Sequence, residues 1–166
     1  MGGVTGVARG TAVFMVGRRC CAVVVGVALT VLLAGCVGPT VTDAGYRNKV
    51  GDTARQISSS IAAARLAVQL DLDGRMAFAL TDQTVSDAES DADSAATALA
   101  SRQPPTDSAL KLYQRASRPI QDAVDALRAL RIAVRRGDSA AIRAALAGLD
   151  APQHGMDDLR TAASGG

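Results

Sequence analysis

Three arginines near the end of the chain's best-patterned segment have a spacing suited to binding chemistry. Arg128, Arg131 and Arg135 recur at intervals of three and four residues, which places them on one face of a helix. Such a face could bind an anion, either a lipid headgroup or a phosphate-bearing polymer of the cell wall. The alternative is pairing within the chain, because local aspartates and an acidic preceding segment are available. We favour pairing and keep anion binding as the second hypothesis.

Acidic side chains occupy alternate positions from Asp87 to Asp93, as they do in a calcium-binding loop. That loop also needs glycine at its sixth position and glutamate at its twelfth, where this chain has Ala92 and Ala98. Because the flanking residues favour a helix, the carboxylates would spread over its surface instead of converging on one ion. We therefore predict a solvated acidic helix face and no bound metal.

The side chains that catalysis requires are scarce. His154 is the single histidine, and it lies between Pro152 and Gly155 near the C-terminus, which is a poor place to hold a general base rigidly. Glu89 is the single glutamate, so the paired Glu-x-x-His motifs of di-iron bundles cannot be present. No glycine-rich phosphate loop occurs. We predict that the protein is not an enzyme and takes no cofactor.

The composition also excludes classes of partner. The chain of 166 residues is 48% apolar but only 2% aromatic, it lacks tryptophan, and its formal net charge is +2. Single-stranded nucleic acid is usually bound on aromatic faces, and duplexes are bound by strongly basic surfaces. We therefore expect no nucleic acid partner.

The N-terminal part of the chain contains an apolar segment with the features of an export signal. No residue from Cys20 to Val37 is charged, and Arg18 and Arg19 precede this run directly. A short basic region, an apolar stretch and small residues at its end describe a secretory signal peptide. We expect ordinary secretion and not twin-arginine export, since the residues flanking the arginine pair lack the rest of that motif. Translation from Met15 would give a more compact leader, and we expect the chain to start there.

The end of this segment is more specific. Leu33, Ala34, Gly35 and Cys36 resemble the lipobox of bacterial lipoproteins. The resemblance implies that the Cys36 thiol takes a diacylglycerol as a thioether and that cleavage makes Cys36 the first mature residue. The protein would then be held by lipid at the extracytoplasmic face of the cell membrane.

Two other interpretations of this segment remain open. Its 18 uncharged residues are just long enough to span a bilayer as an uncleaved anchor. Alternatively, Cys36 could lie in the apolar run by chance, as Cys20 and Cys21 do. Removing residues 1–35 takes three of the 18 basic residues and none of the 16 acidic ones, so the exported part would be close to neutral.

The rest of the chain is predicted to be helical, because apolar residues recur every three or four positions and no stretch alternates as a strand does. At Pro119 the third helix is either kinked or followed by a new helix with the proline in its first turn, and we favour a kink because the apolar stripe keeps its register across it. The fold class is therefore all-α, an up-and-down antiparallel helical bundle of three long helices plus one or two short C-terminal helices. Thr42 and Asp43 supply the N-cap of a first helix that runs to about Leu72, and a second helix runs from Arg75 to Arg102. Thr106 or Asp107 caps the third helix, which Gly137 ends, and Asp138 caps a fourth that runs through Leu149.

Apolar stripes on these helices indicate which side chains form the core. The first stripe is widened by Leu66 and Leu70, and the second is thin and dominated by alanine. Tyr113 belongs to the third stripe, whereas Tyr46 and Lys49 could lie at the level of the lipid headgroups. The predicted inward residues are Val50, Ile57, Ile61, Ala64, Val68; Phe78, Val85, Ala88, Ala92, Ala95, Leu99; Leu110, Tyr113, Ser117, Ile120, Val124, Leu127; and Ile142, Ala145, Leu149.

The sequence thus divides into a signal peptide (1–35), a lipidated cysteine with a short tether (36–41), a helical bundle (42–150) and a weakly ordered tail (151–166). We expect an exported, membrane-anchored lipoprotein that acts as a non-enzymatic interaction module at the cell envelope. The membrane, through lipid on Cys36, and an envelope protein would be its partners. The alternative function is a small-ligand or anion-binding lipoprotein that uses Arg128, Arg131 and Arg135.

Overall fold

The computed structural model describes residues 42–165, and these form five helices. The three long ones are α1 (Asp43–Leu72), α2 (Phe78–Ala100) and α3 (Asp107–Arg136). The two C-terminal ones are α4 (Ser139–Ala147) and α5 (Asp150–Ser164). The described residues contain no strand, so the predicted all-α bundle is confirmed. The lipobox Leu33–Cys36 and the tether up to residue 41 lie outside the described residues.

Four of the helices form an up-and-down bundle, in which α1, α2, α3 and α5 follow one another around a common core. Side-chain contacts show that α5 runs antiparallel to α1. Arg65 binds Asp150 at the start of α5, and Ser58, two turns earlier, accepts a hydrogen bond from Gln153 at 2.6 Å. The short helix α4 packs on α3 and connects it to α5. None of these five helices is long and apolar enough to cross a membrane.

Side-chain caps fix where the helices begin. The Thr42 hydroxyl accepts a hydrogen bond from the Gly45 amide at 3.1 Å, and the Thr106 hydroxyl accepts one from the Ala109 amide at 3.3 Å. Such caps satisfy backbone N–H groups that have no partner within the helix. At the end of α3, Gly137 adopts the left-handed conformation (φ 64°), which glycine reaches without steric cost. The helix starts and stops expected from these residue types are therefore correct.

The core is built largely from small side chains, and the stripes differ from the predicted ones in places. In the first half of α3 the buried residues are Ala109, Leu112 and Ala116, whereas the predicted Leu110 is 42% exposed. Leu66 and Phe78 are also exposed. Because alanine lies next to larger apolar residues along these helices, the sequence allows two neighbouring faces, and only the packing selects one.

Pro119 lies within α3 without ending it, as the continuous stripe predicted. A proline removes one backbone hydrogen bond and crowds the preceding turn. On the facing helix is Gly155, where an added Cβ atom would lie 3.3 Å from the Cβ of Pro119. The absence of a side chain at residue 155 lets α5 approach the proline ring closely.

The C-terminal residues correct the expectation of a weakly ordered tail. They form α5, a regular helix whose Pro152, Met156 and Leu159 are buried in the common core. Pro152 and Gly155 disfavour a helix in isolation. Pro152, however, lies in the first turn, where its missing N–H costs nothing, and Gly155 serves the contact with α3. Tertiary packing therefore outweighs the weak local preference.

This position of α5 predicts a large effect of Met156→Ala, since Met156 is fully buried. Truncating a buried methionine removes apolar contacts and leaves a cavity, so we expect a loss of about 2–5 kcal/mol in the free energy of unfolding. Chemical denaturation of both proteins measures it. The matched control is His154→Ala, on the exposed side of the same helix, which should change stability by less than about 0.5 kcal/mol. Equal stability of the two variants would contradict the packing of α5.

Candidate functional site

The three arginines singled out from the sequence lie on the side of α3 that faces α2, and each is paired with carboxylates of the same chain. Arg128 Nε lies 3.2 Å from Glu89 Oε1, and Arg128 Nη1 lies 2.8 Å from Asp125 Oδ1. Arg131 Nε pairs with the other oxygen of Glu89. One glutamate on α2 thus bridges two arginines, which lie one turn apart on α3. We call Glu89, Arg128 and Arg131 the glutamate bridge.

One turn further along α3, the third arginine contacts α2 nearer to its start. Arg135 Nε lies 3.0 Å from Asp82 Oδ1, and Arg135 Nη2 donates to the Ser86 hydroxyl at 3.3 Å. Arg135 is half exposed, so this pair is screened by water and contributes little to stability. The helical spacing of residues 82, 86 and 89 on α2 matches that of 128, 131 and 135 on α3, which makes the contacts continuous.

Burial distinguishes the glutamate bridge from the other ion pairs. The Glu89 side chain is 13% exposed and that of Arg131 is 25% exposed, whereas Arg128 is 44% exposed. The hydrogen bond from Arg131 to Glu89 raises the pKa of the arginine, partly offset by its desolvation. These guanidinium groups are therefore occupied by the chain's own carboxylates. An external anion would have to displace Glu89, so the geometry favours the pairing hypothesis over anion binding.

The remaining acidic residues of α2 do not converge. Asp87, Asp91 and Asp93 follow the helix, as the sequence predicted, and Asp87 accepts a hydrogen bond from Gln83 at 2.7 Å. Among residues 42–165, no three His, Cys, Asp or Glu side chains lie close enough to hold a metal ion. His154 lies on the exposed side of α5, in an ordered helix and not at a frayed end as the sequence suggested.

Tyr46 contradicts the expectation that it lies at the level of the lipid headgroups. It is fully buried on the inner side of α1, and its hydroxyl has no hydrogen-bond partner among the described residues. Burial raises its pKa, and the nearby Tyr113 raises it further. Tyr113 is partly buried against the core, where the sequence placed it. Tyr46 is buried because it lies one turn before Val50 and continues the same inner stripe of α1.

A surface depression of about 620 Å³ lies between α1 and α5. Arg55 and Arg160 line it, together with Gly51 and Thr161. Each arginine is paired with an aspartate on its own helix, Arg55 with Asp52 and Arg160 with Asp157. The depression is wide open to solvent and holds no buried polar group that would orient a ligand, so it does not define a binding site.

Sequence reasoning predicted that the arginines pair with local aspartates and with the acidic segment before them, but it did not single out Glu89 as the residue that binds two of them. The signal was present, since Glu89 is the only glutamate in a chain otherwise acidic through aspartate. The longer side chain is what reaches two guanidinium groups across the interface. A scan against protein-family models and searches of curated proteins and of solved structures found no match to this chain.

The glutamate bridge predicts that Glu89→Gln destabilises the bundle. The amide cannot neutralise two arginines, one of them three-quarters buried, so we expect a loss of about 1–3 kcal/mol in the free energy of unfolding. Urea denaturation at neutral pH measures the loss. The control is Asp87→Asn, which removes an exposed carboxylate two residues away and should cost less than about 0.5 kcal/mol. A variant as stable as the control would show that the bridge does not hold α2 to α3.

Because its buried hydroxyl has no partner among the described residues, Tyr46 predicts that Tyr46→Phe, unlike Glu89→Gln, does not lower the free energy of unfolding. Removing it leaves the ring in place and abolishes the cost of burying an unsatisfied polar group, so stability should stay equal or rise by up to about 2 kcal/mol. Thermal and urea unfolding measure this change. Tyr46→Ala serves as the matched variant, because losing the whole ring should cost about 3–5 kcal/mol. Clear destabilisation by Tyr46→Phe would mean that the hydroxyl has a partner.

Proposed function

We propose that this protein is an exported lipoprotein whose bundle acts as a non-enzymatic interaction module at the cell envelope. The observation that carries the proposal is the short distance along the chain between the lipobox and the first helix. Thr42, whose side chain caps α1, follows Cys36 by only six residues. Such a segment reaches about 20 Å when fully extended. Lipid on Cys36 would therefore hold the bundle close to the outer face of the membrane.

Exposed apolar side chains support an interaction role. Among residues 42–165, five of the six large exposed apolar side chains lie in the half of the bundle far from Thr42, on the last two turns of α1, the first turn of α2 and the last two turns of α3. Exposed apolar surface at one end of a soluble domain is typical of protein contacts. We expect an envelope protein to bind there, at the end that faces away from the membrane. These residues are Leu66, Leu72, Phe78, Leu80 and Ile132.

The alternative function, anion binding through Arg128, Arg131 and Arg135, has less support. Each of these arginines donates to a carboxylate of α2 or α3, and Glu89 serves two of them. A phosphate that bound there would have to break these ion pairs. A helical surface for a protein partner requires no such rearrangement.

Replacing the lipobox cysteine tests the proposal. We expect wild-type protein to enter the detergent phase and to carry a diacylglyceryl group on Cys36, because a thioether-linked lipid anchors it. Cys36→Ala should remain an unprocessed precursor without the added lipid mass. Phase partitioning and mass spectrometry of the N-terminal peptide measure both.

The matched control is the double variant Cys20→Ala and Cys21→Ala, which keeps the lipobox and should be lipidated like the wild type. An unmodified Cys36 in the wild-type protein, with residues 1–35 still attached, would contradict the lipoprotein assignment. It would favour an uncleaved membrane anchor instead.

A further inference from the structure

The end of the bundle next to Thr42 brings three chain segments together. Asp43, the first residue of α1, accepts hydrogen bonds from the hydroxyls of Thr106 and Ser108, at the start of α3. The Ser108 bond, then the Thr106 bond, lowers the pKa of the Asp43 carboxyl, and the charge of Arg47 lowers it further. The segment that joins α2 to α3 therefore lies at the same end. We call residues 42–50 and 101–115 the tether end, because they surround Thr42, which follows Cys36 by six residues along the chain.

The tether end carries an excess of positive charge. Its only acidic residues are Asp43, whose two carboxylate oxygens accept from hydroxyls, and Asp107 in the first turn of α3. Against these two carboxylates stand five basic side chains, which we call the basic cluster. Its members are Arg47, Lys49, Arg102, Lys111 and Arg115.

These cations differ from the arginines in the middle of the bundle. No member of the basic cluster forms an ion pair with any of the described residues, whereas Arg55, Arg65, Arg128, Arg131 and Arg135 all do. Arg115 donates only to the backbone carbonyl of Lys111, at 3.4 Å. Arg47 and Arg115 line the same cleft between the starts of α1 and α3. Asp43 lines this cleft too and partly offsets the charge of Arg47, but the five cations of the tether end outnumber its two carboxylates.

An exposed apolar side chain accompanies the charges. Leu110, 42% exposed, precedes Lys111 in the first turn of α3, while the other large exposed apolar residues lie at the opposite end. An exposed leucine next to a lysine on a helix is a combination that inserts at the headgroup level of an anionic bilayer. The Lys and Arg side chains lie along the surface and attract its negative charge.

From the charge, the exposed leucine and the position next to Cys36, we infer that the tether end binds anionic phospholipid headgroups and holds the bundle upright on the membrane. The inference rests on the proposed membrane location, and it adds a second point of attachment that fixes orientation. One acyl anchor alone would leave the bundle free to tilt. Contact through the basic cluster would point the apolar residues Leu66, Phe78 and Leu80 away from the bilayer.

The chain offers its own probes for a test, since Lys49 and Lys111 are its only lysines and both belong to the basic cluster. Full-length protein is reconstituted into vesicles of neutral phosphatidylcholine, or of the same lipid with about one-third phosphatidylglycerol. Amines are then acetylated for a fixed time, and modification of the two lysine peptides is measured by mass spectrometry. We expect modification to slow at least about fivefold on the anionic vesicles, and about 1 M salt to abolish the difference.

Matched triple variants separate position from net charge. Arg47→Gln, Arg102→Gln and Arg115→Gln together remove three cations of the basic cluster. Each one or two surface cations change the affinity for an anionic bilayer roughly tenfold, so removing three of them should abolish the protection of both lysines. The control carries Arg75→Gln, Arg136→Gln and Arg143→Gln, three exposed arginines at the other end, which also form no ion pair with the described residues. It should keep full protection, and both variants should melt at the wild-type temperature.

Three results would overturn the inference. The first is equal modification on neutral and anionic vesicles, and the second is an equal loss of protection in the two triple variants. The third is protection of the lysines in detergent by soluble glycerol phosphate or a phosphate polymer, which would identify a wall polymer and not the lipid surface. The mass of the Cys36 peptide in the same samples reports lipidation separately, so failure of the lipoprotein assignment is distinguishable from failure of headgroup binding.

Discussion

The glutamate bridge joins α2 to α3 at a contact to which α2 contributes mostly small apolar side chains. The inner side of α2 presents Thr81, Val85 and Leu99, with three alanines between the valine and the leucine. An alanine buries much less apolar surface than a leucine, so this interface gains little hydrophobic free energy. It does allow close approach, and Glu89 then reaches Arg128 and Arg131 across the gap. The glutamate bridge therefore fixes how far α2 slides along α3.

Charged side chains in the middle of the bundle form ion pairs between helices, whereas the basic cluster at the tether end forms none with the described residues. α2 contains five acidic residues and no basic one, whereas α3 contains seven basic residues. In the middle of the bundle these opposite charges meet and neutralise each other. At the tether end, beyond the last acidic residue of α2, the basic side chains of α1 and α3 have no such partners. The proposed membrane contact uses the basic side chains that form no ion pair with the described residues.

A lipid anchor at one end and apolar side chains at the other would make the bundle a spacer of defined height. Helices of 30 residues, such as α1 and α3, span about 45 Å. With the tether end on the headgroups, Phe78 and Leu80 would be displayed roughly that far above the bilayer. A rigid helical body suits this role because it holds a partner at a constant distance without any chemistry of its own.

Much of the fold was predictable from local residue types. Thr42, Thr106 and Asp138 begin helices because their side chains accept hydrogen bonds from unpaired backbone amides, and Gly137 ends one because it adopts a positive φ. The inward faces were less predictable. Alanine is so frequent that Ala109 and Leu110 suit neighbouring faces of α3 equally well, and Tyr46 combines features of core and interface. The helical spacing of Arg128, Arg131 and Arg135 and their pairing with acidic residues of the chain were predictable, but the choice of Glu89 as the shared partner was not.

What the sequence by itself determined is therefore the first four helices, their approximate bounds and the helical spacing of Arg128, Arg131 and Arg135, since these follow from interactions within a few residues. Only the tertiary structure decided that Pro152 and Gly155 belong to a fourth bundle helix, since burial of Met156 and contact with Pro119 outweigh their weak helix preference. It also decided which charges are neutralised. Glu89 and Arg131 are 42 residues apart in the chain, and no local rule reports a pair that forms only when two helices meet.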